Sequence, residues 1–257
     1  MTRPIVLVTD CNDLAFAEMR GAMWAAAGGA PLAIEPTVFT HPMSVINAAF
    51  AVRMMAEAYP PETIISFVVN PLKLRTERIV GRTKDKDILF EGTNTGVAGW
   101  LVDEFGCEEL YELHDPGFVP FGGKYVHAPA VGKLAAGAAL ADLGNPFPLE
   151  RLRRVERTSK LVVHVDNFGN LKFPWPEGDI NNKGRRYRVS WPGHSVEAVL
   201  WRRMMEREDG EWIIYPGSSL DLWELGEVRG RGVSAADAPP GTVLTIEALD
   251  SPAAQGE

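Results

Sequence analysis

The sequence predicts an α/β amino-terminal domain with a mostly parallel sheet, followed by a small all-β barrel. Three observations carry that prediction. Apolar runs of β-formers at residues 5–8, 32–39 and 63–69 alternate with stretches of helical spacing. Such an order implies right-handed crossovers and parallel strands. A charged stretch, RLRRVERTSK at 151–160, then interrupts the pattern. Beyond it, short strand-like runs at 161–165, 185–190, 195–201, 212–215, 222–225 and 243–249 are separated by Gly, Pro and Asn turns, as in a small barrel or sandwich. The domains are therefore drawn at 1–150 and 161–250, with 151–160 a solvated linker and 251–257 a frayed tail.

Residues 5–8 (IVLV) are too short for a helix and lack polar alternation, the pattern of a strand covered on both faces. The run ends in Thr9-Asp10-Cys11-Asn12-Asp13, after which Leu14, Ala17, Met19 and Met23 fall at roughly helical spacing. Asp10 thus stands at the carboxyl edge of the sheet, where open α/β sheets bind ligands. Its carboxylate can accept both hydroxyls of a ribose, or it can cap the helix that follows. A second strand is expected over 32–39. Ser44 is placed to cap a helix over 45–59 that carries Ile46, Phe50, Met54 and Ala58 on one face, and Pro60-Pro61 stops it. The third strand, 63–69, ends at Asn70-Pro71. Residues 79–83 and 87–90 read as a strand pair around Lys84-Asp85-Lys86, followed by a polar loop, EGTNTG at 91–96, that opens a helix over 97–105. A short strand over 109–113 and a small-residue helix over 128–140 complete the domain.

Apolar residues make up 46% of the 257 positions and charged residues 23%, ordinary proportions for a soluble domain. A net charge of -8 argues against general nucleic-acid binding, which requires a basic surface. The two cysteines, Cys11 and Cys107, exclude a disulfide framework and a Cys-rich zinc site. Cys11 reads as a small buried filler or, beside the site, a nucleophile. His114, His164 and His194 lack metal-ligand spacing, so no metal is expected. There is neither a signal peptide nor a membrane-length apolar run, which points to the cytoplasm and away from membranes. Gly28-Gly29 and Gly122-Gly123 lack the spacing and lysine of a phosphate loop, which fits a ligand without phosphates. The tryptophans at 175, 191, 201, 212 and 223 read as barrel core and subunit interface.

Several segments, in order along nearly the whole chain, resemble the S-adenosylmethionine (SAM) hydroxide adenosyltransferases, a family related to the SAM-dependent fluorinases and chlorinases. They are Thr9-Asp10 with Met19-Arg20-Gly21, Thr40-His41, Val68-Val69-Asn70-Pro71 and Thr76-Glu77-Arg78. Ala128-Pro129 with Asp142-Leu143-Gly144, Ser219 and Trp223-Glu224-Leu225-Gly226 continue the series. Most specific is Val165-Asp166-Asn167-Phe168-Gly169-Asn170-Leu171, which is similar to the family's D-x-F-G-N-L motif.

The resemblance implies an α/β domain plus a β-barrel, assembled as homotrimers with the adenosine site between subunits. It implies that Asp10 holds the ribose diol, and that Asp166, Phe168 and Asn170 come from a neighbour, Phe168 stacking on adenine. Asp13, His41, Ser219, Glu224 and Gly226 complete the implied binding set. An Asx turn with Phe168 in the barrel core is the other reading of the Asp166 segment. The implied reaction is displacement at the ribose C5′ of SAM by water, giving adenosine and methionine, with SAM as substrate and no further cofactor.

This chain departs from the family where the chemistry occurs. The family aspartate falls at Asn70, which cannot accept a proton, and its arginine at Arg78, or at Arg75 if the gap is placed differently. Its histidine falls at Gly122, and His127, five residues along, would point elsewhere unless the loop is rebuilt. A Pro-Asp-Asn-Gly loop becomes Thr93-Asn94-Thr95-Gly96, and an arginine after Ser219 becomes Leu220. A base would then be His41, Asp13 or Glu91, or none would be needed, since sulfonium displacement depends mainly on positioning. The alternative is a non-catalytic adenosine- or SAM-binding protein, or an enzyme acting on another nucleoside-like ligand.

Overall fold

The computed structural model describes residues 2–69, 72, 76–114 and 116–249. The expected tail at 251–257, together with Asn70 and Arg75, lies outside the described residues. The chain divides into two compact units, Met1–Val155 and Glu156–Glu257.

The strands of the first unit are β1 (Pro4–Thr9), β2 (Ala33–Ile34), β3 (Val38–Phe39), β4 (Ile64–Val68), β5 (Arg78–Arg82), β6 (Leu89–Thr93), β7 (Glu109–Leu113) and β8 (Gly144–Pro146). They form a sheet in the order β2-β1-β4-β6-β5-β7-β8, with β3 also on β1. The sheet is mixed. Parallel pairs join β1 to β2, β3 and β4, and β4 to β6. Antiparallel pairs join β5 to β6 and β7, and β7 to β8. The turn between β5 and β6 is too short for a crossover, so that pair must run antiparallel.

Helices α1 (Leu14–Ala26) and α4 (Ala128–Ala135) cover one face, and α2 (Val45–Ala58) and α3 (Val97–Phe105) the other. Alternation along β1 serves both: Ile5 and Leu7 pack with Met19, Met23 and Leu134, while Val6 and Val8 pack with Val52, Ala56 and Leu101. α4 approaches α1 so closely that a β-carbon on Gly132 would lie 2.3 Å from the Met23 carbonyl oxygen.

Local departures from the sequence reading have physical reasons. The expected second strand splits around Pro36, which has no N–H for a ladder. Ser44 caps α2 by accepting from the Asn47 N–H, but the buried stripe runs through Ala48, Val52 and Ala56, leaving Ala58 exposed. α2 is apolar on several sides, so periodicity alone does not choose the face. Leu14 is exposed. Glu91, Gly92 and Thr93 belong to β6 rather than to a loop. α4 is preceded by a π-helical turn, Gly123–His127, and is shorter than the helix expected over 128–140. Residues 151–155 are not wholly solvated: Leu152 is buried, and Asn94 donates to the Arg151 carbonyl (3.1 Å) and accepts from the Arg153 N–H (2.9 Å).

The second unit contains β9 (His164–Val165), β10 (Leu171–Phe173), β11 (Arg186–Trp191), β12 (His194–Leu200), β13 (Trp212–Pro216), β14 (Trp223–Glu227) and β15 (Thr245–Ala248). Their order is β15-β11-β12-β13-β14-β10-β9. The sheet curls, and backbone bonds join the segments flanking its outer strands: Val162 N–H to Thr242 O (2.8 Å) and Leu244 N–H to Lys160 O (2.9 Å). Trp175 and Trp191 are buried in its core, and Trp175 meets Tyr187 and Trp223 edge-on. Among the described residues, no helix is long and apolar enough to cross a membrane.

Candidate functional site

The parallel strands β1, β4 and β6 end on the same edge, and the antiparallel β5 begins there. A cleft of about 340 Å³ opens at that edge, lined by Asp10, Cys11, Met43, Val68, Thr76, Arg78, Thr93, Phe121, Gly122, Gly123 and His127. Its polar groups are a carboxylate, a guanidinium, an imidazole and two threonine hydroxyls.

Asp10 is positioned by the residue before it. The Thr9 hydroxyl donates to the Val68 carbonyl (2.8 Å) and accepts from the Cys11 N–H (3.1 Å), tying the end of β1 to β4. One Asp10 oxygen, Oδ2, accepts from the Met43 N–H at 2.8 Å. The N-cap of α1 is Asp13, which makes no side-chain cap bond. The capping alternative for Asp10 therefore falls, and its carboxylate faces the cleft.

Arg78 starts β5 and packs over the backbone of Gly122, where a β-carbon would lie 3.2 Å from Nη2. A side chain at this position, where the resemblance puts a histidine, would press on the flexible end of the arginine. His127 takes up a place in the same cleft. In a π-turn the N–H of residue i+5 lies over residue i, so 122 and 127 come to the same side despite their spacing. The expectation that His127 would point elsewhere is corrected by this turn. Its Nδ1 stands 2.5 Å from Glu91 Oε1, and its Nε2 3.2 Å from Thr93 Oγ1. Glu91 Oε2 accepts from the Ser66 hydroxyl at 2.9 Å. Both Glu91 and His127 are almost fully buried.

Near the cleft, Glu77 shows how strongly this edge is bonded. Burial pushes its carboxyl upward, but bonds from its own backbone, Thr76, Asn94 and Arg151 outweigh that and hold it at about 2.

The remaining sequence candidates are dispersed. Asp13 is exposed, and His41, with its ring Nδ1 3.3 Å from the Pro42 carbonyl, does not line the cleft. In the second unit, Asp166 Oδ1 accepts from the N–H groups of Phe168 (2.9 Å) and Asn170 (3.0 Å), and Oδ2 accepts from the Asn170 side chain (2.9 Å). That is the Asx turn, but Phe168 at its tip is 69% exposed rather than in the core. Gly169 in this turn has φ +80° and abuts the Arg231 carbonyl, so a side chain is excluded. Ser219 is buried. The Glu224 carboxylate, expected to bind ligand, is buried and engaged by Lys172 and by the Tyr215 hydroxyl (2.6 Å). Gly226 leaves room for Asn170, whose Oδ1 would lie 2.1 Å from a β-carbon there. Among the described residues, no cluster of three or more His, Cys, Asp or Glu is arranged to hold a metal.

Sequence reasoning named Thr76 as part of a motif match, Thr93 in a replaced loop and His127 as pointing elsewhere, and it passed over Ser66. The available signal was a glutamate within an apolar strand, which needs a buried partner.

Mixed α/β sheet, edge cleft and curled second sheet define a two-unit α/β protein with a polar cleft at strand ends. Residues 5–144 match the SAM hydroxide adenosyltransferase N-terminal domain, and the chain belongs to that family. It is 26% identical over 249 residues to an (R)-S-adenosyl-L-methionine hydrolase of Salinispora arenicola, covering 87% of this chain and 92% of the relative. It is 21% identical over 136 residues to the protein of the same name from Methanocaldococcus jannaschii, a match spanning about half of each chain (51% and 49%). In fold it is similar to an uncharacterized conserved protein from Thermotoga maritima, with TM-score 0.77, 20% identity, and 94% of this chain and 99% of that one covered. A conserved hypothetical protein from Thermus thermophilus is also similar, with TM-score 0.72, 21% identity, and 96% and 100% covered.

Proposed function

We propose that this protein hydrolyses SAM to adenosine and L-methionine by displacement at the ribose C5′. The observation that carries the reading is the Asp10 carboxylate, turned away from its helix into a cleft that also holds Arg78 and His127. An ionised acceptor with an oxygen facing the cleft suits a ribose diol. The sulfonium leaves as a neutral thioether, so the site needs no general acid. It needs a held sugar and a positioned water. Family membership and the two SAM hydrolase relatives support the same chemistry.

The finer reading is a cytoplasmic homotrimer that needs no further cofactor. In it the curled sheet closes as a barrel, and Phe168 of a neighbouring copy covers the adenine. The exposure of Phe168 at the tip of a well-bonded turn supports that role. Light scattering on the purified protein tests the trimer, and a monomer would remove it.

The reaction is tested by incubating the protein with SAM in ¹⁸O-water. The expected products are adenosine carrying one ¹⁸O at the 5′ position and unlabelled methionine. Adenosine binding without turnover would instead mark a binding protein.

A further inference from the structure

Glu91 sits inside β6 with no solvent exposure, in the apolar middle of the sheet. A carboxylate at that depth is costly unless fully bonded. Ser66 Oγ donates to Oε2 at 2.9 Å, and His127 Nδ1 lies 2.5 Å from Oε1. A carboxylate only accepts, which places a ring proton on Nδ1; in the neutral ring the lone pair is then on Nε2. That lone pair faces the Thr93 hydroxyl at 3.2 Å, and His127 and Thr93 both line the cleft that holds Asp10 and Arg78.

We propose that Thr93, His127 and Glu91 form the proton-accepting chain for the attacking water; this rests on the SAM-hydrolysis reading. As the water oxygen bonds to C5′, the C5′–S bond breaks and its electron pair stays on sulfur, giving neutral methionine. The proton lost by water goes to His127 Nε2, directly or through Thr93, whose hydroxyl passes its own proton on and takes the water's. The imidazolium that results stands beside the Glu91 carboxylate, so no uncompensated charge forms in the wall. His127 is the catalytic base and Glu91 its positioning residue. Asn70 cannot accept a proton, and this chain supplies an acceptor from other elements.

The test uses the full chain with three readouts: kcat and KM for adenosine release, the adenosine Kd, and long-range ¹⁵N–¹H correlation of His127 without ligand. The proposal predicts a wild-type ring protonated on Nδ1. His127→Gln should lower kcat by about 10²–10⁴-fold while leaving the adenosine Kd nearly unchanged. Free imidazole should restore part of the activity of His127→Ala, which a purely structural role would not allow. Glu91→Gln should lower kcat and abolish the Nδ1 preference; if it does not fold, the wild-type ring and His127→Gln decide the matter. A ring protonated on Nε2, or full kcat in His127→Gln, overturns the proposal. The ring measurement needs no substrate, so absence of adenosine from the wild type would remove the SAM reading, while an Nε2-protonated ring would remove the chain alone.

Discussion

A β-carbon on Gly122 would lie 3.2 Å from Nη2 of Arg78. The guanidinium lies against this residue at the start of the π-turn, beside the cleft, and a β-carbon there would displace it by a few tenths of an ångström. Gly122 has ordinary right-handed helical angles, φ -56° and ψ -38°, so alanine there meets no backbone strain. The atom it would touch is the far end of a flexible side chain. Gly122→Ala should therefore keep or slightly raise thermal stability, since alanine is favoured over glycine in helices by up to about 1 kcal/mol. SAM turnover should fall about tenfold or more, because small misplacements at a reacting centre are costly. Calorimetry and the adenosine assay check both halves, and unchanged turnover would show that Arg78 is not held for the chemistry.

Asp10 separates binding from catalysis. Hydrogen bonds to charged groups contribute about 1.5–3 kcal/mol, against about 0.5–1.5 for neutral ones. Asp10→Asn keeps the shape and one acceptor but loses the charge. Adenosine affinity should drop about tenfold, a change of about 1.4 kcal/mol. In the wild type, 2′-deoxyadenosine should bind more weakly than adenosine, and the gap should narrow in Asp10→Asn. Titration calorimetry with the two nucleosides measures this directly. An unchanged gap would detach Asp10 from the diol.

What could be read from the chain was local. The two-faced burial of β1 follows from a short apolar run, and the placing of Asp10 follows from a strand ending in a polar turn; both depend on neighbours in sequence. The Glu91–His127 pair depends on two residues 36 positions apart, each costly to bury alone. A π-turn then shifts the helical register by a residue, so counting in α-helical steps sends His127 the wrong way. Phe168 left two readings open, a stacking face or a core residue, for the opposite reason. An aromatic ring between two strands normally marks a core, yet the bonds that Asp166 makes within its own turn hold the ring outward.

Glu77 gives the first unit an acid limb. Its carboxyl is held at about 2, against an ordinary 4.5. A carboxylate depressed by folding contributes stability that is fully present above the unfolded value. That stability is lost as pH falls through the folded one. The loss should therefore run from about pH 4.5 down to about pH 2. Glu77→Gln should lower stability at pH 7 and flatten the dependence across that window. Urea melts of the two proteins at stepped pH give the comparison. Parallel curves would mean that Thr76, Asn94 and Arg151 do not hold the charge in solution.

Lys172 and Glu224 test whether the second unit's charged pair is structural. Both are largely buried, at 8% and 4% exposure, and they bond to each other while Tyr215 donates to Glu224. Burial, with Glu224 alongside, raises the Tyr215 pKa, keeping that hydroxyl a donor. Removing one member of such a pair strands a buried charge and costs about 3–5 kcal/mol. Glu224→Gln keeps an acceptor for Tyr215 but leaves the ammonium uncompensated, so it should show that loss in urea melts. Adding Lys172→Met removes the stranded charge while filling the same space, and most of the loss should return. The double-mutant cycle would then show strong coupling between the two positions, which independent surface charges would not give. Additive losses would show instead that the second unit tolerates Lys172 without its partner. The Glu224 carboxylate would then be free to meet a ligand, as its place in the sequence motif had suggested.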